Sequence, residues 1–389
     1  MLHQVRSTWD LHFANGGEQA LELLRGGTEV DVIVTDLHMP GMHGVEMLTQ
    51  VSKMDPEIIR IVLSANLNAD DIAPTAGITH QIVAKPCDPD HFRSVLTRAF
   101  TLRRRMENSP VKTSLMQMGT LPSVPVLYWR IMDEINSPSP SIARVAEIVS
   151  KDPGMTAKVL KVANTTTNPQ NRVTDIVYAT HMIGLENLKS FVLAAELFEK
   201  VSNDAMSEQF DIDALWQHGL TVGEYSMRIA EFQGADKATV DASYTAGLLH
   251  DIGLLILATK LPTDFEAVLE CARSTGSTLY QAERKTLGVT HAEIGAYLLD
   301  LWGLHDNVVK AISHHFFPSG DEHDIYSFKE DEAFSPLTAV HSANYFCEEA
   351  EGTDDEYGKA ELDMFYLESL GLGEMVPMWW DLCKEELSV

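Results

Sequence analysis

Ala246-Gly247-Leu248-Leu249-His250-Asp251-Ile252-Gly253 sets two ionisable side chains inside an otherwise apolar run. An imidazole and a carboxylate among Ala, Leu and Ile cost several kcal/mol in desolvation unless they share a hydrogen bond or hold a cation. The sequence around the pair is helical in period. From Leu121 onward apolar residues recur at helical spacing, with punctuation to match. Asp152-Pro153 caps and opens a helix through Met155–Asn164, and Thr174 caps one over Asp175–Ile183 that Gly184 ends. Thr290-His291-Ala292-Glu293 has the spacing of a capping box. The C-terminal two thirds is therefore expected to be an all-α domain, completed by further helices over Leu362–Trp380.

The N-terminal third reads differently. Val30–Thr35, Ile58–Leu63 and Gln81–Ala84 are short β-branched runs separated by helical stretches, the pattern of a parallel α/β sheet. Such sheets carry their sites outside the carboxyl ends of the strands, where Asp36, Ser64 and Lys85 fall in order. A carboxylate, a hydroxyl and an ammonium on one rim can accept a phosphoryl group and sense it. Asp88-Pro89 opens an amphipathic helix that ends at Arg103-Arg104-Arg105, and the polar stretch Ser109–Gly119 reads as a linker.

Through Asp36-Leu37-His38-Met39-Pro40-Gly41-Met42-His43-Gly44, Leu63-Ser64-Ala65 and Ala84-Lys85-Pro86, this third resembles the response-regulator receiver family. The resemblance implies a flavodoxin-like fold with Asp36 as phospho-acceptor, Ser64 as switch hydroxyl, Lys85 as phosphate partner, and a cis bond at Lys85-Pro86. Receivers open with a strand that ends in an acidic pair holding magnesium, whereas this sequence begins at what reads as the end of the first helix. Trp9–Ala14 then reads as the second strand of the usual 2-1-3-4-5 order, with the central strand missing. Magnesium binding at the rim is accordingly doubtful, and poor phosphorylation of Asp36 is expected. Two accounts stay open: loss of the strand, or a true start upstream of Met1.

Histidines spread over the helical part form the second set of candidates: His218, the His250-Asp251 pair, His291, and His314-His315. Separate helices can each send one imidazole or carboxylate inward to a bundle-core metal. The plainer reading places His314 or His315 at a helix terminus for the dipole, and His291 in a first turn at the surface.

The helical part resembles the HDOD family, a branch of the HD superfamily. The matching segments are Leu121-Pro122-Ser123-Val124-Pro125, Asp152-Pro153-Gly154-Met155-Thr156 with Val162-Ala163-Asn164, Ala246–Gly253, and Thr290–Ala296 with Ile312-Ser313-His314-His315. Catalytic HD enzymes are metal-dependent phosphohydrolases that use a histidine, the His-Asp pair and a later aspartate. Carried over by position, the resemblance offers His218, His250 and Asp251 as a degenerate metal set, with Asn344 in the aspartate's place. A neutral amide replaces poorly a carboxylate that offsets a divalent charge. The cyclic-dinucleotide branch also has a lysine after His-Asp-x-Gly and a Gly-Tyr-Pro motif, but Leu254 follows Gly253 and no Gly-Tyr-Pro follows His315.

The fold class expected is thus multidomain: a flavodoxin-like receiver lacking its first strand over residues 1–105, a linker over 106–120, and an all-α HDOD domain over 121–389. The function expected is a two-component response regulator whose output domain binds rather than cleaves. The competing reading is a divalent-metal phosphohydrolase acting on a nucleotide or cyclic dinucleotide. Implied partners are a sensor kinase and a downstream signalling protein, with a homodimer as a further expectation. Direct DNA binding is disfavoured by a net charge of −28, from 57 acidic against 29 basic residues. Cys87, Cys271, Cys347 and Cys383 form no C-x-x-C pair, so neither a disulfide framework nor a thiolate zinc site is expected. Met1-Leu2-His3-Gln4-Val5-Arg6 lacks a secretory core, and the apolar run Ala246–Ala258 falls short of the roughly 20 residues a bilayer span needs, so a cytoplasmic protein is expected.

Overall fold

A computed structural model describes residues 9–64, 75, 78–106, 125–137, 139–165, 173–201, 210–319, 333–351 and 361–384. Residues 107–120 of the expected linker, and most of the acidic run 348–356, lie outside these. The chain divides into two compact units. The first comprises residues 1–108, 119–140 and 301–303, and the second the remainder.

In the first unit, β1 (Val32–Asp36), β2 (Ile59–Ser64) and β3 (Gln81–Ala84) form a parallel sheet in sequential order. Its register sets Asp36 opposite Leu63, and Ser64 opposite Ala84. The helices α1 (Gly17–Arg25), α2 (Gly44–Met54) and α3 (Pro89–Met106) alternate with the strands. Leu21 from α1, Met47, Leu48 and Val51 from α2, and Val62 and Ile82 from the sheet fill one core. α1 and α2 are both amphipathic, and the faces bearing these residues are the buried ones. The α/β arrangement and the three strands match expectation, with ends shifted by one or two residues.

Trp9–Ala14 is a correction: it forms no strand. A strand gains its hydrogen bonds from a neighbour, and β1 pairs with β2 alone among the described strands. Instead, Trp9, Leu11 and Phe13 line one side of a cavity of about 790 Å³ whose other side includes Val32, Val34 and Phe100. The alternation of apolar residues in that segment is genuine, but no partner strand stands beside it.

At the rim, the turn from β1 into α2 requires glycine at one position. A Cβ on Gly44 would lie 2.2 Å from the Asp36 carbonyl oxygen, and the Gly44 N–H donates to Leu37 O at 3.0 Å. The Lys85–Pro86 bond is cis.

The second unit is helical among its described residues. It runs through α5 (Ile142–Ser150), α6 (Pro153–Thr165), α7 (Ile176–Ile183) and α8 (Leu185–Val201), with α4 (Val126–Ile135) belonging to the first unit. There follow α9 (Ile212–Phe232), α10 (Lys237–Leu249), α11 (Ile252–Lys260), α12 (Pro262–Thr275), α13 (Leu279–Leu287), α14 (His291–Leu301), α15 (Asp306–His314), α16 (Pro336–Glu351), α17 (Met364–Ser369) and α18 (Val376–Lys384). α10 is the hub, packing on α8, α9, α15 and α16. Residues 237–260 are, contrary to the expectation from run length, apolar and long enough by composition to cross a membrane. The cause is core position: 83% of the most apolar window is buried inside the protein. α7 is capped by Asp175, which accepts from the Tyr178 N–H, rather than by Thr174. Asp175 sits one residue closer to the first turn, where its carboxylate reaches the free amide.

Replacing Gly44 by Ala should destabilise the sheet by about 1–3 kcal/mol, because the new methyl meets backbone rather than a movable side chain. Native-state hydrogen exchange of the β1 and β2 amides measures it.

Candidate metal centre

Five of the sequence-marked residues converge in the helical unit. His218 comes from α9, His250 and Asp251 occupy the joint between α10 and α11, His291 starts α14, and His315 follows α15. Asp251 is the N-cap of α11, yet its carboxylate makes no capping hydrogen bond. It forgoes a contact that stabilises a helix by about 1 kcal/mol and points into the cluster instead. Its Oδ2 lies 3.2 Å from His250 Nε2 and 3.7 Å from His218 Nε2. Its Oδ1 lies 3.2 Å from His291 Nε2 and 3.6 Å from His315 Nε2.

The outer face of three of these rings fixes what the inner face offers. His250 Nδ1 donates to Gly247 O at 2.7 Å, and His315 Nδ1 to Ile312 O at 2.8 Å. His291 Nδ1 donates to the buried Glu283 carboxylate at 2.8 Å, which also accepts the His291 backbone N–H at 3.0 Å. A carbonyl or carboxylate can only accept, so each Nδ1 carries a proton. In its neutral form each ring then presents a lone pair at Nε2, the arrangement by which outer partners orient metal-ligating histidines; on His291, whose pKa is raised to about 10, a bound cation would displace the Nε2 proton. His250 Nε2, His291 Nε2, His315 Nε2 and Asp251 Oδ1 are buried with no hydrogen-bond partner.

These orphaned atoms fit a divalent cation: Asp251, His291 and His315 offer one set of ligand atoms within 4.8 Å of one another, His218, His250 and Asp251 offer another, and the atoms left without a partner belong to Asp251, His250, His291 and His315. The electrostatics agree. Burial alone would raise the Asp251 carboxyl, but His250 and His291 hold it well below the usual carboxylate range. Burial alone would lower His291, yet the negative charge of Glu283 and Asp251 pushes it up to about 10. Two buried carboxylates thus demand positive charge at this spot. His315, lowered by burial and by the neighbouring His250, stays neutral with its lone pair free.

His218, at the edge of the cluster, has a further partner. Its Nε2 lies 2.9 Å from Asn344 Oδ1, and Asn344 Nδ2 donates to Glu348 Oε1 at 3.2 Å, so the oxygen of the amide is what faces the ring. His218 Nε2 therefore carries a proton, and Cys347 Sγ lies 3.5 Å from its Nδ1. Gly253 makes the geometry possible on the far side, since a Cβ there would lie 1.9 Å from His291 O.

The structure corrects two placements. His291 is fully buried rather than a surface residue, because Glu283 draws its ring inward while Thr290 and Glu293 form the expected capping box beside it, at 3.2 and 2.9 Å. His315 belongs to the cluster rather than serving only the helix end, whereas His314 turns to Ser313 Oγ at 2.6 Å. Sequence reasoning missed Glu283 and His341. Glu283 lies one helical turn from the buried Tyr280 on α13, a position that would have marked it as inward-facing.

At the first unit's rim, the three strand ends bring Asp36, Ser64 and Lys85 to one side of the sheet. Lys85 Nζ donates to Asp36 Oδ2, and the His38 N–H donates to Asp36 Oδ1 at 3.2 Å. Burial, which raises the Asp36 carboxyl, is outweighed by Lys85 and the His38 amide, so it lies below its ordinary value. Ser64 is buried, and its carbonyl accepts from the Lys85 N–H at 2.7 Å.

A parallel α/β rim carrying an aspartate and a lysine in one unit, and a His-Asp cluster held between helices in the other, define a chain with a receiver domain and an HDOD domain. The chain belongs to the HDOD domain family, which matches residues 121–318, and the response regulator receiver domain matches residues 2–97. An HDOD domain protein with unknown function from Geobacter sulfurreducens shares the fold at a TM-score of 0.55 and 23% identity, over 72% of this chain and 92% of that one. A phosphohydrolase candidate from Shewanella amazonensis SB2B gives a TM-score of 0.53 at 21% identity, over 72% and 95%. Among curated relatives, an uncharacterized protein of Treponema pallidum (strain Nichols) is 23% identical over 60% of this chain and 47% of its own length. The hydrogenase transcriptional regulatory protein HoxA of Cupriavidus necator is 42% identical over 18% and 15%. The chain spans about half or less of the length of these relatives.

Glu283→Gln should lower affinity for a divalent metal about ten- to hundredfold, because the amide orients His291 without the carboxylate's charge. Competition against a chromogenic chelator reads the change.

Proposed function

We propose that the protein is a two-component response regulator whose HDOD domain, residues 121–389, is a metal-holding regulatory module that does not turn over phosphoesters. The observation that carries this reading is the bond between His218 and Asn344. Where a hydrolase needs a further carboxylate, the amide ties up His218 Nε2 instead, leaving one ligand set rather than two. Asp251, His250, His291 and His315 would hold a divalent ion, which when bound would supply positive charge to offset Asp251 and Glu283. The chain's own residues do the rest: Asp251 bridges α9, α14 and α15 at the α10–α11 joint, so ligand occupancy and helix packing are linked. The near-complete set of orphaned nitrogens favours, as second reading, a phosphohydrolase acting on a nucleotide or cyclic dinucleotide.

Elemental analysis and a phosphodiesterase panel, on wild type and Asn344→Asp, separate the two. One divalent ion with no turnover in wild type, and a second ion in the aspartate variant, is the expected result. Hydrolysis by the wild-type protein, lost in His250→Ala, would establish the enzyme.

At the other end, Asp36 is the proposed phospho-acceptor, with Ser64 and Lys85 as its switch and phosphate partners within residues 1–105. A sensor kinase and a downstream signalling protein are the proposed partners, a homodimer is a further proposal, and nucleic acid is not expected to bind an acidic chain. Among the described residues no group of three His, Cys, Asp or Glu side chains gathers around Asp36 to hold magnesium against the incoming phosphate, so weak phosphorylation by a small phosphodonor is the expected outcome. Intact-mass measurement after incubation with donor and magnesium tests this, and a stable, stoichiometric adduct absent from Asp36→Asn would refute it.

A further inference from the structure

His341 lies on α16 beyond the family match, buried, and no motif pointed to it. Its Nδ1 lies 2.7 Å from His315 O, and its Nε2 accepts the Asp363 N–H at 2.8 Å. A carbonyl only accepts and a backbone amide only donates, so both nitrogens are committed and the tautomer is fixed. Asp363 closes the loop. Its Oδ2 accepts the Ser319 N–H and Oγ–H at 3.1 and 2.6 Å, while its Oδ1 caps α17 through the Tyr366 N–H at 3.0 Å. Tyr366 OH lies 2.9 Å from Thr338 Oγ1, on the same helix as His341. The segment 315–319, which carries His315, is therefore tied at both ends to one device made of His341 and Asp363.

We propose that His341 is a positioning residue of the metal centre, which aims His315 Nε2 through its backbone and joins cation binding to docking of the C-terminal segment 363–384. The proposal rests on the metal-centre reading above. Two bonds carry it, and they have separate duties. The bond to His315 O sets the ligand, since a ring already pinned at Nδ1 to Ile312 can aim Nε2 only as its backbone allows. The bond from Asp363 transmits that position to α17, whose Leu367 and Tyr366 are buried in the unit. A shift of His315 on taking up a cation is felt at Asp363 with one side chain between them.

The two bonds can be cut singly. In His341→Asn the amide nitrogen stands near the place of Nδ1 and donates to His315 O, with nothing left to accept from Asp363. In His341→Gln the amide oxygen reaches the place of Nε2 and accepts from Asp363, with the bond to His315 lost. The probe is cobalt(II) alone, added to the full chain. Wild type should bind it and His315→Ala should bind it weakly. His341→Asn should stay within about threefold of wild-type affinity, whereas His341→Gln should lose about ten- to hundredfold and shift the cobalt d–d absorption. Hydrogen exchange over 363–384 should slow on adding cobalt in wild type and not in His341→Asn.

If wild type takes up no cobalt, or His315→Ala binds it as well as wild type, the metal centre itself falls and the proposal with it. If those two behave as expected but His341→Gln binds as wild type and exchange over 363–384 ignores cobalt, the positioning role is overturned and the metal centre stands. The Asn and Gln variants each keep one of the two bonds, so the comparison does not need the more disruptive His341→Ala.

Discussion

The carboxylate of Asp251 is the constraint around which the helical unit is arranged. Four imidazoles from separate elements approach its two oxygens, and the aspartate gives up its usual helix-capping bond to meet them. Such a group is tolerable in an apolar core only when positive charge accompanies it. Glu283, buried behind His291, adds a second negative charge to the same account. The outer hydrogen bonds of the rings follow from this demand, because each turns an Nε2 lone pair inward.

Much of this was legible before any coordinates. His250 and Asp251 stood out because ionisable residues break an apolar run, and Asp36, Ser64 and Lys85 because strand ends of a parallel sheet share one rim. The choice between His314 and His315 was not legible, since neighbouring helical residues point about 100° apart and the end of α15 lies where periodicity fades. His291 was hidden behind its capping box, which gave that turn a complete local explanation. His341 is a single polar residue on a helix that only tertiary contacts separate from a solvated one, whereas the helical spacing of Glu283 from Tyr280 was a signal, though one that says nothing of its partner. For Trp9–Ala14 the period was right and the outcome wrong, because strand formation is decided by a neighbour distant in sequence.

The two units use one chemical idea in different ways. At the sheet rim, Lys85 already satisfies Asp36 with a mobile ammonium, and the carboxylate remains partly open to water. In the helical unit the carboxylate is enclosed and its partners are rings fixed at both nitrogens or at one. The first arrangement suits a group meant to change its charge, the second a group meant to keep its surroundings. Asn344 sharpens the contrast: its amide oxygen, facing His218, engages the ring as a proton donor where a cation would need a lone pair.

β1 pairs with β2 and with no other described strand, and residues 9–14 line a cavity together with it. A strand edge whose amides and carbonyls find no partner is in general a template for strands of other molecules. On a strongly acidic chain mutual repulsion opposes any such adhesion, so the colloidal behaviour of this protein at high concentration follows the ionic strength that screens it.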